Sequence, residues 1–308
     1  MRDTLFIIGN GFDFHHELPT HYSDYKAFLR QRDLNLVRRM DELFQMNGIA
    51  EKDIKLWSNL EERTRFFPNL DFESLRDDAF DASEQDMDRA SYWDDPQYIA
   101  GNYVKGWIDF YDEFTGHFKE WIDSIDVGKA CMDEKLGLEK NALFLNFNYT
   151  KTLEIVYGIP AGNILYIHVN EGKYVFGNNQ PKNIPYPNPE GTYIDEDGNE
   201  SSDEDIRNVE VKKVLNGAYS TIYEAYFKNS DGLIKKYGAW FSQISKFRKI
   251  VFMGVSFGKE DKPYFDFIFQ NANNCNEWLF YYRSDDDLAN AKKYAEKFNI
   301  QNAEYRQW

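Results

Sequence analysis

The chain opens on an apolar run that stops at a glycine turn: Thr4-Leu5-Phe6-Ile7-Ile8-Gly9-Asn10-Gly11-Phe12-Asp13. Such a run is typical of a buried strand, and the glycines allow positive φ and a close approach of the backbone to a ligand. A turn between a first strand and a helix can hold phosphate or ribose oxygens. A purely structural turn is the alternative, because Phe14 breaks the match to G-x-G-x-x-G.

Composition bounds the class of protein. The net charge of −16 over 308 residues makes nucleic acid an unlikely partner, because no basic excess exists to displace counterions. Two cysteines, Cys131 and Cys275, are too few for a four-thiolate zinc site, and no metal site is expected. Neither a signal peptide nor an apolar run near the ~20 residues of a membrane span is visible, so we expect a cytoplasmic protein without membrane contact.

The order of apolar runs and helical spacings predicts the fold class. Buried parallel strands are predicted at Leu5–Ile8, Leu143–Phe147, Ile164–His168, Tyr174–Phe176, Ile250–Met253 and Trp278–Tyr282. Helices are predicted at Tyr22–Met46, Gly101–Ile125 and Asp287–Phe298. This alternation is typical of an α/β fold with a Rossmann-like, mostly parallel sheet, and we expect one domain over residues 1–308.

Two segments interrupt the alternation. Residues 48–141 contain no convincing strand, which predicts a helical insertion after the first βα unit. Residues 177–208 are rich in proline and acidic residues, which is typical of a long loop, a lid or a disordered insertion.

Polar residues end two of the predicted strands. Asn146 and Asn148 lie in an otherwise apolar strand, where unpaired amides are costly. The amide of Asn148 could hydrogen-bond a ribose hydroxyl or position a water, or the asparagines could instead cap a helix that begins near Thr150. His168 ends the next strand, where a general base belongs, although a satisfied core histidine is the alternative.

A second turn, Gly254-Val255-Ser256-Phe257-Gly258, follows the Ile250–Met253 strand, and Asp261 then opens a helix. It fits the G-x-S-x-G pattern of serine hydrolases formally, but no histidine follows Ser256, which disfavours that reaction. Glu61, in the segment Trp57-Ser58-Asn59-Leu60-Glu61, is either a functional carboxylate or a capping partner of Ser58.

Several of these blocks, taken together, resemble the AbiH family of bacterial proteins linked to abortive infection, a response that stops phage at the cost of the infected cell. The blocks are G-N-G-F-D (9–13), E-L-P-T (17–20), W-S-N-L-E (57–61), F-N-Y-T (147–150), Y-I-H (166–168) and G-K-E-D-K-P-Y-F (258–265). More distantly, the layout is similar to the Rossmann folds of sirtuins, in which an Asn and a His act on NAD. The zinc cysteines of sirtuin deacylases are absent, so removal of acyl groups from lysine is not expected.

The resemblance implies a phage-defence protein that hydrolyses NAD or a related nucleotide. In that hypothesis Asn148 positions water or the ribose, His168 is the base, and Glu61 stabilises developing positive charge. The residues expected to contact the ligand are Gly9, Asn10, Gly11, Asp13, Tyr149, Gly254, Ser256 and Asp261. No cofactor is expected to be required, since the nucleotide is the ligand or substrate.

Two other functions stay open at this point. The same fold could hold a nucleotide or a phage component as a sensor, without turning it over. A nuclease is less favoured because of the acidic net charge. The sequence names neither the phage trigger nor the oligomeric state.

Overall fold

The protein combines a parallel sheet with helical layers, which confirms the predicted α/β class. The structure, a computed structural model, describes residues 3–46, 60–63, 72–83, 95–170, 173–177, 179, 181–186 and 203–308. The strands are β1 (Thr4–Ile8), β2 (Leu143–Asn146), β3 (Ile164–Tyr166), β4 (Val169–Asn170), β5 (Lys173–Tyr174), β6 (Lys249–Met253), β7 (Glu277–Tyr282) and β8 (Ala303–Gln307). Six of them form one sheet in the order β3-β2-β1-β6-β7-β8, with every pair parallel.

Strand β1 lies near the middle of this sheet and is buried on both faces. Phe6 is in register with Phe144 on one side and with Val251 on the other. Leu5 and Ile7 pack into the core on one face of the sheet, and Phe6 and Ile8 pack into the core on the other face. The two sets separate because successive side chains of a strand point to opposite faces. Cover on both faces explains why the strand reads as a continuous apolar run.

The order in which strands join the sheet reverses at β1. The chain adds β2 and β3 on one side of β1 and later adds β6, β7 and β8 on the other. Ligands of open α/β sheets bind outside the carboxyl ends of the strands at such a switch point. The boundary between β1 and β6 is therefore the expected position of a site.

The helices form layers on the sheet and beyond its carboxyl edge. They are α1 (Asn10–His15), α2 (Tyr22–Arg32), α3 (Leu34–Met46), α4 (Leu60–Arg63), α5 (Phe72–Ser83), α6 (Pro96–Ser124), α7 (Thr152–Ile155), α8 (Asp203–Tyr226), α9 (Ser230–Lys236), α10 (Gly238–Phe241), α11 (Lys262–Asn271) and α12 (Asp285–Lys297). Buried aromatic residues of α6, among them Phe114 and Phe118, pack with Tyr25 of α2 and Tyr226 of α8. Within the described part of 48–141 the elements are α4, α5, α6 and short 3₁₀ turns, as the predicted helical insertion requires.

Three predicted elements differ from the structure. The helix predicted over Tyr22–Met46 is two helices, because Asp33 is extended and its carboxylate caps the next helix by accepting from the Leu36 N–H at 2.8 Å. Residues 174–176 are outside the parallel sheet: β5 pairs antiparallel with β4. Too few residues separate them from β3 for the crossover that a parallel neighbour needs. The predicted strand Ile164–His168 ends at Tyr166.

Helix α8 and strand β8 are among the elements that were not predicted. Helix α8 begins at Asp203, so the loop predicted over 177–208 is wrong from residue 203 onward; residues 187–202 lie outside the described residues. Its buried residues Val211, Leu215 and Ala218 follow helical spacing. Strand β8, Ala-Glu-Tyr-Arg-Gln, is a half-exposed edge strand and lacks an apolar run.

Among the helices that the structure describes, none combines the length and apolar character needed to cross a bilayer.

Candidate active site

A cleft of about 1080 Å³ lies beyond the carboxyl ends of the central strands. Every residue predicted for the site lines it: Gly9, Asn10, Gly11, Asp13, Glu61, Asn148, Tyr149, His168, Gly254, Ser256 and Asp261. These residues come from the turns after β1, β2 and β6, from the segment after β3, and from α4. The structure thus brings together residues that are far apart in sequence, while their roles toward a ligand stay predictions.

The glycines after β1 are required by close packing against the turn after β6. A Cβ on Gly9 would lie 2.4 Å from the Gly254 carbonyl oxygen, and one on Gly11 would lie 2.6 Å from the Gly254 Cα. Gly254 has a positive φ, at 65°. Gly9 is extended (φ −113°), so the expected positive φ is wrong there, and close approach is the reason for this glycine.

Backbone N–H groups of the first turn have internal partners. The N–H of Gly9 donates to the Met253 carbonyl, and that of Gly11 donates to the Gly254 carbonyl, both at 2.9 Å. The Phe12 N–H donates to the Gly9 carbonyl, also at 2.9 Å. The N–H groups of Gly9, Gly11 and Phe12 are therefore already used within the protein and are not free to bind a ligand.

Asp13 joins the turn after β1 to the turn after β2. Its buried carboxylate accepts from the Thr150 hydroxyl at 2.6 Å and from the Thr152 hydroxyl at 2.7 Å. Burial raises the pKa of Asp13 to about 6, although the hydrogen bonds from Thr150, Thr152 and the side chain of Asn148 act in the opposite direction. These hydrogen bonds hold the turn after β1 against the turn after β2.

The two asparagines of β2 and its turn have different partners. The Asn146 side-chain oxygen accepts from the Asn148 backbone N–H at 3.0 Å. Helix α7 begins at Thr152 without a side-chain cap, so the alternative that an asparagine caps it is wrong. Asn148 is buried, and its side-chain oxygen has no hydrogen-bond partner among the described residues. A buried acceptor of this kind is expected to be satisfied by a ligand or a water.

His168, which is buried, forms a pair with the partly buried Asp261. The His168 Nε2 lies 3.0 Å from the Asp261 Oδ1. Burial opposes ionisation of Asp261, but Lys228 and His168 outweigh it and hold the pKa of this carboxyl well below its usual range. Because an ionised carboxylate only accepts, Nε2 of a neutral ring must carry the proton, which leaves a lone pair on Nδ1. His168 Nδ1 is buried and has no partner among the described residues.

A lysine that sequence reasoning missed lies behind this pair. Lys228 is completely buried, and its Nζ lies 2.8 Å from the Asp261 Oδ1 and 2.9 Å from the Glu61 Oε2. Burial alone would lower the pKa of Lys228, but Asp261 and Glu61 outweigh it and raise that pKa above its ordinary value. The residue follows α8 in an ordinary-looking segment, and no motif in the sequence marks it.

Glu61 has several partners inside the protein. Its Oε1 accepts from the Tyr22 hydroxyl at 2.7 Å and lies 3.4 Å from the Tyr149 hydroxyl, which also donates to the Val175 carbonyl at 3.1 Å. Burial and then Glu61 raise the pKa of Tyr22 well above its usual range. The alternative that Ser58 is the partner of Glu61 concerns a residue outside the described residues.

The other end of the cleft is more exposed and carries basic side chains. Arg283 and Lys293 line it, and neither forms an ion pair within the part of the chain that the structure describes. Ser256 also lines the cleft, and its carbonyl accepts from the Asn290 side chain at 3.2 Å. The start of the predicted lid is fixed nearby, since Asn179 donates to the carbonyls of Lys259 and Glu260 at 3.0 and 2.9 Å.

Comparison with known proteins gives one match. A family model described as "Bacteriophage abortive infection AbiH" covers residues 5–282. No curated protein and no solved structure matches the chain, and the distant likeness to sirtuins stays a prediction. Because the matched region spans most of the sequence, the protein belongs to the AbiH family of bacteriophage abortive infection proteins.

Proposed function

We propose that the cleft binds NAD or a related nucleotide and that His168 and Asn148 act on it to hydrolyse the bond between ribose and base. Membership of the AbiH family implies a role in abortive infection, and loss of an essential nucleotide would stop phage growth at the cost of the cell. The observation that carries the proposal is the unpartnered Nδ1 of a buried histidine whose Nε2 is held by a carboxylate.

The two unpartnered atoms indicate what the ligand offers. His168 Nδ1 and the Asn148 side-chain oxygen are both acceptors, and both belong to residues that line the cleft. A ligand that satisfies them must supply hydrogen-bond donors. Ribose hydroxyls and an attacking water are such donors, which supports a nucleotide substrate and a hydrolytic reaction.

Charge near His168 suits the reaction. Glu61, Asp261 and Lys228 together carry one net negative charge beside the ring. Cleavage of the bond between ribose and nicotinamide passes through a state with positive charge on the sugar, which negative charge stabilises. Asp261 also stabilises the imidazolium that forms when Nδ1 accepts a proton.

The bond changes in this reaction balance without a cofactor. The electron pair of the bond leaves with nicotinamide, which becomes neutral. A water positioned by Asn148 adds its oxygen to the ribose carbon and gives a proton to His168 Nδ1. The products are nicotinamide, ADP-ribose and a proton that His168 returns to solvent.

The test is mass spectrometry of nucleotides after incubation with purified protein. We expect NAD to be converted to nicotinamide and ADP-ribose, and we expect His168→Ala and Asn148→Ala each to lower the rate by about 10²–10⁴-fold, as loss of a general base typically does. Lys119→Ala, at an exposed position of α6 outside the cleft, is the control and should leave the rate unchanged.

The second candidate function is a sensor that binds the nucleotide without turning it over. The internal partners of Asp13 and Glu61 favour it, since carboxylates held by hydrogen bonds within the protein form a rigid binding site. Saturable NAD binding with unchanged NAD after long incubation would support the sensor and overturn the hydrolase. Absence of both binding and turnover would overturn both.

A further inference from the structure

We propose that Lys228 is a positioning residue for His168 and that, through Glu61, it makes the orientation of the histidine depend on the placement of α4. This role deepens the proposed function and rests on it for its catalytic meaning. The relay runs from Glu61 to Lys228, from Lys228 to Asp261, and from Asp261 to His168, with distances of 2.9, 2.8 and 3.0 Å.

The relay joins separate parts of the chain. Glu61 lies on α4 of the helical insertion, and Lys228 lies between α8 and α9. Asp261 ends the 3₁₀ turn Lys259–Asp261, which precedes α11, and His168 follows β3. One buried cation therefore holds the insertion against the residue that orients the histidine.

The geometry at Asp261 ties its two partners together. The same oxygen, Oδ1, accepts from Lys228 Nζ and faces His168 Nε2. The position of this oxygen decides which ring nitrogen carries the proton, so the lysine that fixes the oxygen also fixes the tautomer. A shift of Glu61 would move the lysine and with it the oxygen.

Stability alone is a poor reason for such a lysine. Buried ion pairs lose much of their attraction to desolvation, and well-packed apolar residues often replace them without loss of stability. Lys228 is completely buried, with carboxylates on two sides. A role in holding one arrangement of polar groups explains its position better.

The test determines the tautomer of the His168 ring and needs no substrate. Protein labelled with ¹⁵N in its five histidines is studied by NMR at pH 8, and His168→Gln assigns the His168 signals. In the wild type we expect one neutral tautomer with the proton on Nε2. The main variant is the double variant Glu61→Gln/Lys228→Met, because it keeps one net negative charge in the cluster, whereas Lys228→Met alone removes the cation that two partly buried carboxylates share.

The double variant is expected to fold and to show averaged ¹⁵N shifts for the two ring nitrogens of His168, which means that the single tautomer is lost. The matched control is Lys26→Met, which removes a half-buried lysine paired with Asp41 at 2.6 Å on the α2–α3 side, and it should leave the His168 signals unchanged. Wild-type ring shifts in the folded double variant would overturn the proposal, as would failure of the double variant to fold while Lys26→Met folds, because Lys228 would then have a structural role.

Turnover of NAD separates this inference from the proposed function. If the wild type does not consume NAD, the hydrolase is wrong, whereas the ring spectra still decide the role of Lys228. If NAD is consumed, the double variant should lower the rate by at least tenfold and the Lys26→Met control should not.

Discussion

Asp13 shows how one buried carboxylate can hold two turns in place and still carry an energetic cost. Its oxygens accept from Thr150 and Thr152, which belong to the turn after β2 and the start of α7. Burial raises its pKa from 3.8 to about 6. In the sequence, G-N-G-F-D and F-N-Y-T are separate blocks. The structure brings them into contact, since the aspartate of the first accepts a hydrogen bond from the threonine of the second.

The shifted pKa predicts a pH dependence of stability. Because the folded pKa of Asp13 lies above the unfolded value, the folded chain binds more protons between about pH 4 and pH 6. The stabilising contribution of protonation is therefore fully present below pH 4 and is lost as the pH rises through 6. A pKa difference of roughly two between the folded and unfolded chain corresponds to about 3 kcal/mol.

Asp13→Asn should remove this dependence while keeping the shape of the side chain. Urea unfolding at pH 4 and at pH 7.5 measures it: relative to the variant, the wild type should lose about 2.4 kcal/mol of unfolding free energy between the two pH values, because pH 4 lies close to the unfolded pKa. Asp109→Asn, at an exposed pair with Lys105, is the control. A difference between wild type and Asp13→Asn that does not change with pH would contradict the assignment.

At the scale of the elements, the turns after β1 and β6 are in direct backbone contact. A Cβ on Gly254 would lie 2.2 Å from the Phe12 backbone nitrogen, and the residue has a φ of 65°. Both the clash and the positive φ penalise any other residue. The switch point of the sheet is therefore closed by glycine on both sides.

Gly254→Ala is expected to lower the free energy of unfolding by more than about 2 kcal/mol, because backbone strain and a backbone clash act together. Gly106→Ala is a matched control within α6, where a Cβ meets nothing within 4 Å. There, alanine should stabilise the protein by about 0.5–1 kcal/mol. Both variants are compared by chemical denaturation, and equal stability of Gly254→Ala and the wild type would show that the turns are not packed as described.

The elements also show which parts of the fold were predictable. Apolar runs such as Leu5–Ile8 and Ile250–Met253 identify central strands, because parallel strands covered on both faces carry apolar residues at every position. Strand β8 could not be identified in this way, because it is a half-exposed edge strand with polar residues. Residues 174–176 satisfy the apolar criterion, but Tyr174 pairs antiparallel with Val169 outside the parallel sheet. An apolar run does not show which strand it will pair with.

The residues of the site likewise divide into those that could be predicted from the sequence and those that could not. Residues at strand ends, such as Asn148 and His168, were predictable, because parallel strands present their carboxyl ends at one edge. Lys228 was not, since its importance comes from two carboxylates that approach it from segments distant in sequence. Pairing across such distances leaves no local pattern.

At the scale of the whole molecule, the chain is an AbiH protein whose sheet, turns and helical insertion converge on one cleft. We propose that this cleft carries the defence activity, through an acceptor nitrogen of His168 that Asp261 holds in place. This role can be tested in cells before the substrate is identified. The test needs only a phage against which the wild-type protein protects.

The most direct measurement is the efficiency of plating of that phage on cells that make the wild-type protein, His168→Ala or Asn148→Ala at equal levels, verified by immunoblot. The wild type should reduce plaque numbers, and both variants should return them to the number seen without the protein. Lys119→Ala, on an exposed turn of α6, should protect like the wild type. Full protection by His168→Ala and Asn148→Ala would contradict the account.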